Sequence, residues 1–203
     1  MDFAATDPGT SAGKRAAAST KIVVAGGFGV GKTTLVGSVS EIMPLRTEAL
    51  VTNESEGVDD LAAVPGKSTT TVAMDFGRLT LAEDLVLYLF GTPGQRRFWF
   101  MWDDLCRGAI GAIVMVDTNR LDESFSPLDY FESKKIPFIV AVNQFEGTQK
   151  FELGDIRTAL ALRPEVPMIR IDARDRDSAK YALLRVTEYA LERLRRAEPV
   201  KVN

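Results

Sequence analysis

Apolar positions along the chain gather into short continuous runs, set apart by helix-forming or turn-rich stretches. The first is Lys21–Ala25, which passes at once into glycines. Others are Asp84–Phe90, reading Leu-Val-Leu-Tyr-Leu-Phe after its aspartate, then Ala109–Asp117, Ile136–Asn143 and the shorter Met168–Ile171. Runs apolar throughout, rather than alternating, predict strands buried on both faces. Helical sequence lies between them: Lys32 to Met43, closed by Pro44; Arg96–Arg107; Ser124–Lys134; a helix near Phe151–Leu162; and a long closing helix, Asp175–Arg196. One more strand enters from Gly66 to Phe76, and a turn near Leu81–Asp84 joins it to the next run as an antiparallel hairpin. Strands alternating with helices predict an α/β fold, a mostly parallel six-stranded sheet with one antiparallel strand, covered by helices on both sides. Ligands of such sheets sit at the carboxyl ends of the strands, where Asp117 and Asn143 close two of the runs.

Two stretches lack periodicity. Residues 1–19 are small and polar, which predicts a disordered tail ahead of a folded domain spanning 20–198. The alternative for that tail is a docking arm for a partner. Residues 44–67 carry Pro44, Asn53, Gly57, Pro65 and Gly66, and predict a long loop between the first helix and the second strand.

Composition narrows the chemistry. The net charge of −3, without a large basic block, gives no reason to propose nucleic acid as a partner. The chain has no histidine, which removes His-based triads and the usual zinc sites. Its single cysteine, Cys106, rules out an internal disulfide and fits a reducing cytoplasm as a small buried apolar residue. No apolar run is long enough to span a bilayer and no signal peptide or lipidation motif is evident, so direct membrane insertion is not expected.

The glycine-rich stretch after the first strand carries the strongest signal. Gly26-Gly27-Phe28-Gly29-Val30-Gly31-Lys32-Thr33, continuing into Thr34, fits G-x-x-x-x-G-K-[ST], the phosphate-binding loop. Glycines let successive backbone N–H groups face one anion, and the following helix presents its positive end to the same anion. Lys32 then reaches the β- and γ-phosphates, and the Thr33 hydroxyl ligates Mg²⁺. Strand before and helix after make a chance glycine turn the poorer account.

From about residue 20 onward the chain resembles the Ras-type small GTPases, and more narrowly those of actinobacterial conservons, relatives of the bacterial gliding-motility GTPase. The resemblance implies a P-loop small G-protein fold, a three-layer sandwich. It implies that Thr71, in Thr71-Val-Ala-Met-Asp-Phe76, is the first-switch threonine that ligates Mg²⁺ beside Thr33. The second switch reads Gly91-Thr-Pro-Gly94-Gln95, so Gly94 N–H faces the γ-phosphate and Gln95 orients the attacking water, with Lys32 as the third catalytic group. Gly91 stands where the family usually has an acidic residue, a loss expected to weaken metal binding. Phe28 replaces a small residue; its ring either crowds the γ-phosphate or packs outward against the first-switch loop. Base recognition falls to Asn143, Gln144 and Glu146, where a carboxylate accepts guanine N1–H and the 2-amino group. Asp172, Ala173 and Arg174 match the last base motif, with Ala173 N–H facing guanine O6.

Three consecutive aromatics, Phe98, Trp99 and Phe100, with Trp102 close behind, cannot all face inward from one helix, which favours a partner surface over pure core. These features predict a GTP-binding molecular switch in bacterial signal transduction, using Mg²⁺ and hydrolysing GTP slowly to GDP, with an arginine from a partner or from Arg46 completing the site. The rival readings are a module that holds guanine nucleotide without hydrolysis and an ATP-binding P-loop protein. The resemblance further implies a roadblock-fold regulator and a histidine-kinase-like sensor as partners, a nucleotide-dependent dimer as one assembly, and a cytoplasmic protein recruited to the membrane through partners.

Overall fold

The computed structural model describes residues 18–43, 45–51, 70–145, 147 and 149–197. Strand β1 (Ala18–Gly26) leads into helix α1 (Lys32–Val39), followed by β2 (Leu45–Val51), β3 (Thr70–Ala82) and β4 (Leu85–Gly91). A 3₁₀ segment (Arg96–Met101) runs into α2 (Trp102–Cys106), then β5 (Gly111–Val116), α3 (Asp122–Ser133) and β6 (Phe138–Asn143). The chain closes through α4 (Leu153–Ala159), β7 (Met168–Ile171) and α5 (Arg176–Ala197).

The strands form one sheet in the order β2-β3-β4-β1-β5-β6-β7. β1 pairs in parallel with both β4 and β5, and β5, β6 and β7 continue in parallel. β3 is antiparallel to both its neighbours, so it alone runs against the rest. The α/β class and the β3–β4 hairpin are those expected from the sequence. The sheet has a seventh strand, however: β2 lies in the stretch expected to be loop. Its sequence, Leu-Arg-Thr-Glu-Ala-Leu-Val, lacks clean alternation, and its pairing with β3 from Leu45↔Phe76 to Val51↔Thr70 makes it a strand. Strand formation here follows context rather than pattern.

Local chemistry shortens other elements. Helix α1 ends at Val39, before Pro44, because the Ser40 hydroxyl donates to Ile42 O at 2.7 Å and accepts the Arg78 N–H at 3.2 Å. Such a side-chain turn diverts the backbone from the helix. The expected helix at Arg96–Arg107 is half 3₁₀. β1 starts at Ala18, slightly ahead of the expected domain boundary, while residues 1–17 lie outside those described.

Two cores flank the sheet, because successive β1 residues point to opposite faces. Ile22 and Val24 join Leu35, Val36, Met115, Ile139 and Val186 under α1 and α5. Val23 and Ala25 join Trp102, Val114, Phe131, Phe138 and Ile156 under α2, α3 and α4. The aromatic segment divides as geometry requires: Phe98 and Trp102 are buried, whereas Phe100 is 54% exposed. Phe131 centres an aromatic cluster, stacked on Trp102 at 6.0 Å and edge-on to Tyr130 at 5.2 Å. We expect Phe131→Ala to destabilise the chain by about 3–5 kcal/mol, read from denaturant midpoints; a loss under about 1 kcal/mol would contradict this packing.

Candidate functional site

β1 lies between β4 and β5, where the strand order reverses, and the glycine-rich loop leaves its carboxyl end. This is the crevice in which open α/β sheets hold ligands. Gly26, Gly29 and Gly31 have φ of 141°, 73° and 105°, conformations that side chains resist. Space is as restrictive as φ. A Cβ on Gly26 would stand 2.5 Å from Met115 O, and one on Gly31 2.6 Å from Asn143 Nδ2. A Cβ on Gly27 would collide with the Glu123 carboxylate. The glycines turn the backbone into the concavity that binds anions.

Lys32 and Thr33 open α1 at the foot of this loop. Lys32 is buried, and Nζ donates to Gly26 O at 2.9 Å and Gly27 O at 2.6 Å. Burial pushes its ammonium down to about 8; Asp75 and Glu123 pull it back up, and Arg120 adds to the depression. Thr33 Oγ1 donates to Asp75 Oδ2 at 2.6 Å. Asp75 sits on β3 directly opposite Gly91 of β4, and a Cβ on Gly91 would lie 3.0 Å from both Asp75 Cβ and Oδ2. The neighbouring strand thus places a carboxylate in the space left by Gly91. Sequence reasoning gave Asp75 no role, because only the β3–β4 register brings it there.

The donor set suits Mg²⁺. A hydroxyl and a carboxylate in contact are hard oxygen donors, and Mg²⁺ ordinarily takes one or two such groups with substrate phosphates and waters. Among the described residues no group of three His, Cys, Asp or Glu forms a metal cage, so a Mg²⁺ ion held here would take its other ligands from phosphate oxygens and water. Thr71 belongs to β3 opposite Leu50, but its side chain lies outside the described residues.

Gly94 packs on the loop: a Cβ there would meet Phe28 N and Cα at 2.9 Å and Lys32 Nζ at 3.0 Å. The segment 91–95, expected to be the second switch, therefore touches the phosphate loop. Gln95 is exposed beside it, and the Phe28 ring is 64% exposed rather than folded over Lys32. Thr34 is exposed on the first turn of α1, and Val30 is buried. Thr92, between Gly91 and Gly94, is buried with no hydrogen-bond partner for Oγ1 among the described residues.

At the other end of the site, buried Asn143 donates through Nδ2 to Val30 O at 2.9 Å and accepts Ala173 N–H through Oδ1 at 3.0 Å. The backbone donor expected to face guanine O6 is thus held by Asn143, because the carboxamide reaches it across the β6–β7 edge. Asn143 acts here as a tie between loops. Gln144 N–H donates to Ile171 O at 2.7 Å, extending the ladder one residue past β6. Arg174 closes on Asp172 through Nε at 3.0 Å and Nη2 at 2.8 Å, and these bonds hold the Asp172 carboxyl below the usual carboxylate range. Glu146 lies outside the described residues.

Residues 24–193 match the family model of conserved hypothetical ATP binding proteins. The chain belongs to this family. A relative in Methanocaldococcus jannaschii, an uncharacterized protein, is 34% identical over 141 residues, 68% of this chain and 75% of that one. Among solved structures the FeoB G-domain of Methanococcus jannaschii is similar, with a TM-score of 0.53 at 14% identity, covering 86% of this chain and 98% of that one. The cytosolic domain of the T. maritima FeoB iron transporter in a GDP form gives 0.58 at 18% identity, covering 86% of this chain and 64% of that one. At such identities the likeness concerns the fold, which is that of P-loop GTPase G-domains. This family member is a nucleotide-binding P-loop protein.

Two outcomes follow from the phosphate end. Asp75→Asn should weaken Mg²⁺ binding about 10- to 100-fold, read by titrating Mg²⁺ against a fluorescent nucleotide. Gly91→Asp alone, bringing a second carboxylate against the first, should lower Tm, and adding Asp75→Ala should recover it; an unchanged Mg²⁺ titration in Asp75→Asn refutes the placement. Burial holds the Lys32 ammonium down to about 8, and the negative charge of bound phosphates would favour its charged form. Nucleotide binding above pH 8 should therefore take up as much as one proton and weaken as pH rises, and calorimetry in buffers of different ionisation heat measures this uptake.

Proposed function

We propose that this protein is a Mg²⁺-dependent guanine-nucleotide switch that hydrolyses GTP slowly to GDP. The observation that carries the reading is the Asn143 carboxamide, which ties the phosphate loop at Val30 to the Asp172–Arg174 loop through Ala173. That bridge sets a phosphate end and a base end in one crevice. Guanine is favoured by Glu146, three positions past the strand end in Asn143-Gln-Phe-Glu146, where a carboxylate accepts two donors that adenine does not offer. Asn143 is then exchangeable: turning its Oδ1 from Ala173 frees that N–H for the base.

Lys32, released from the Gly26 and Gly27 carbonyls, holds the β- and γ-phosphates. Thr33 and Asp75 hold Mg²⁺, which supplies charge neutralisation at the phosphates when bound. Gly94 N–H meets the γ-phosphate and Gln95 positions the water; no general base is required when positioning and electrostatics carry the transfer. Phe28 is exposed and does not itself argue for slow turnover, which on this reading follows from Gly91 standing where the small GTPases usually have an acidic residue. Resemblance to conservon and gliding-motility GTPases supports a signalling role in the cytoplasm, with a roadblock-fold regulator, a histidine-kinase-like sensor and a nucleotide-dependent dimer as assemblies. No helix among the described residues is long and apolar enough to cross a membrane, so membrane recruitment on this reading goes through partners.

The second reading is ATP binding. The family description names ATP, and Ala173 N–H is engaged rather than open. A titration of GTP, GDP, ATP and ADP with Mg²⁺ separates the two. Guanine nucleotides should bind at least about 10-fold more tightly than adenine ones, and Glu146→Ala should abolish the difference, removing two charge-assisted bonds. Equal ATP binding, or a preference untouched in Glu146→Ala, sinks the guanine reading. Single-turnover assays then separate slow hydrolysis from mere holding.

A further inference from the structure

Arg120 follows the end of β5 and enters α3, and nothing in the loop motif requires it. Its guanidinium rests on the phosphate loop: a Cβ on Gly29 would lie 3.5 Å from Nη2. Gly29 is exposed even with the arginine beside it, so the guanidinium lies next to a stretch of loop open to solvent. Two carboxylates hold it. Nε and Nη2 each lie 3.1 Å from Asp117 Oδ2, and Nη1 lies 3.3 Å from Glu123 Oε1. The two grips differ. Asp117 is buried and its other oxygen accepts Asn119 N–H at 2.9 Å, which makes it a rigid anchor. Glu123 is half-buried, packs beside Gly27, and holds the guanidinium by one longer contact.

Arg120 and Lys32 are therefore two cations beside one loop, and the Arg120 charge is felt at Lys32. A bridge to Asp117 alone would explain an arginine that neutralises a buried acid. It does not explain the placement over Gly29 or the second acid at the loop. A partly exposed carboxylate at 3.3 Å is a weak competitor for a polyphosphate chain, because screened single pairs contribute little while phosphate accepts the guanidinium fork through several oxygens.

We propose that Arg120 is an arginine supplied in cis to the phosphates: nucleoside triphosphate draws its guanidinium from Glu123, with Asp117 as pivot, towards the oxygen bridging the β- and γ-phosphates. The proposal rests on the hydrolytic reading above. In that reaction a water oxygen forms a bond to the γ-phosphorus while the bond from that phosphorus to the bridging oxygen breaks. The electron pair stays on the bridging oxygen of the departing diphosphate, and the water proton passes to inorganic phosphate or solvent. Negative charge grows on the bridging oxygen, and a guanidinium N–H there stabilises the transition state more than the ground state.

The test uses the full chain with Mg²⁺ and GTP, and ATP in parallel, comparing wild type with Arg120→Ala, Arg120→Lys and Glu123→Gln. Arg120→Ala should slow single-turnover hydrolysis at least about 100-fold, the lower part of the range for arginine fingers, while GDP affinity changes less than about 10-fold. Arg120→Lys should not rescue, since a compact ammonium lacks the planar fork whose one edge holds Asp117 while the other reaches a phosphate. Glu123→Gln should accelerate hydrolysis several-fold by releasing the arginine, which a purely bracing role would not do. GDP with aluminium fluoride, a mimic of the transferring phosphoryl group, should bind wild type and fail to bind Arg120→Ala.

Wild-type hydrolysis rates in Arg120→Ala, or slower hydrolysis in Glu123→Gln, overturn the proposal. If Arg120→Ala fails to fold, the Lys and Gln variants decide. A wild type that hydrolyses neither nucleotide overturns the hydrolytic reading instead; Arg120 is then judged by binding, where Arg120→Lys must lose affinity for a non-hydrolysable triphosphate but not for the monophosphate, and equal losses overturn the contact.

Discussion

The Asn143 carboxamide is the interaction on which the site depends. It joins the loop after β1 to the loop after β7 from the end of β6, with Nδ2 on Val30 O and Oδ1 on Ala173 N–H. Each bond alone contributes only about 1 kcal/mol. Their value lies in burial, since removing the side chain strands a carbonyl and an N–H away from water. The tie also dictates its neighbour: Gly31 must lack a side chain because the carboxamide nitrogen occupies that space. Glycine spacing in the phosphate loop thus reflects pressure from β6 as well as the needs of an anion. The sheet supplies the rigidity, for β5 and β6 are buried along their whole lengths.

On this scaffold the charged and hydroxyl side chains at the loop are held by acceptors of this chain. Lys32 donates to backbone carbonyls of its own loop, Thr33 donates to Asp75, and Arg120 is held by Asp117 and Glu123. These three side-chain donors have internal acceptors, so burial of Lys32 costs less than it otherwise would. The same arrangement keeps the loop charged yet satisfied in the free protein, and a polyphosphate replaces several acceptors at once. The depressed Lys32 ammonium is the residue of incomplete compensation.

Much of this was legible along the chain. Buried strands could be read because both faces of a central strand demand apolar residues, and Ile22-Val-Val-Ala25 serves two cores at once. The phosphate loop was legible because its chemistry is local: glycines, lysine and threonine act within one turn. What escaped is non-local. Leu45–Val51 is a strand only because β3 offers it an edge. Asp75 matters only because β3 is paired so that it faces Gly91, a substitution that reads as a loss until the neighbouring strand is in place. Arg120 is an ordinary charged residue after a strand until α3 and the loop after β5 fold it over Gly29. Ser40 stopped α1 ahead of the proline, since a hydroxyl with two backbone partners acts sooner than a ring that cannot donate.

The division of the site also explains how a family described by ATP and a fold shared with FeoB G-domains meet in one chain. Phosphate contacts are blind to the base. On the proposed reading Lys32, Thr33, Asp75 and the loop glycines would grip only oxygens, and they stand on or beside β1, α1 and β3. The base would on the same reading be recognised at the far edge, from the ends of β6 and β7, and Asn143 ties that edge to the phosphate loop. A change of carboxylate or backbone donor at that edge alters nucleotide choice while leaving every bond at Lys32 and Thr33 in place. On that reading nucleotide identity and phosphate chemistry are separable in this fold, with Asn143 touching both halves.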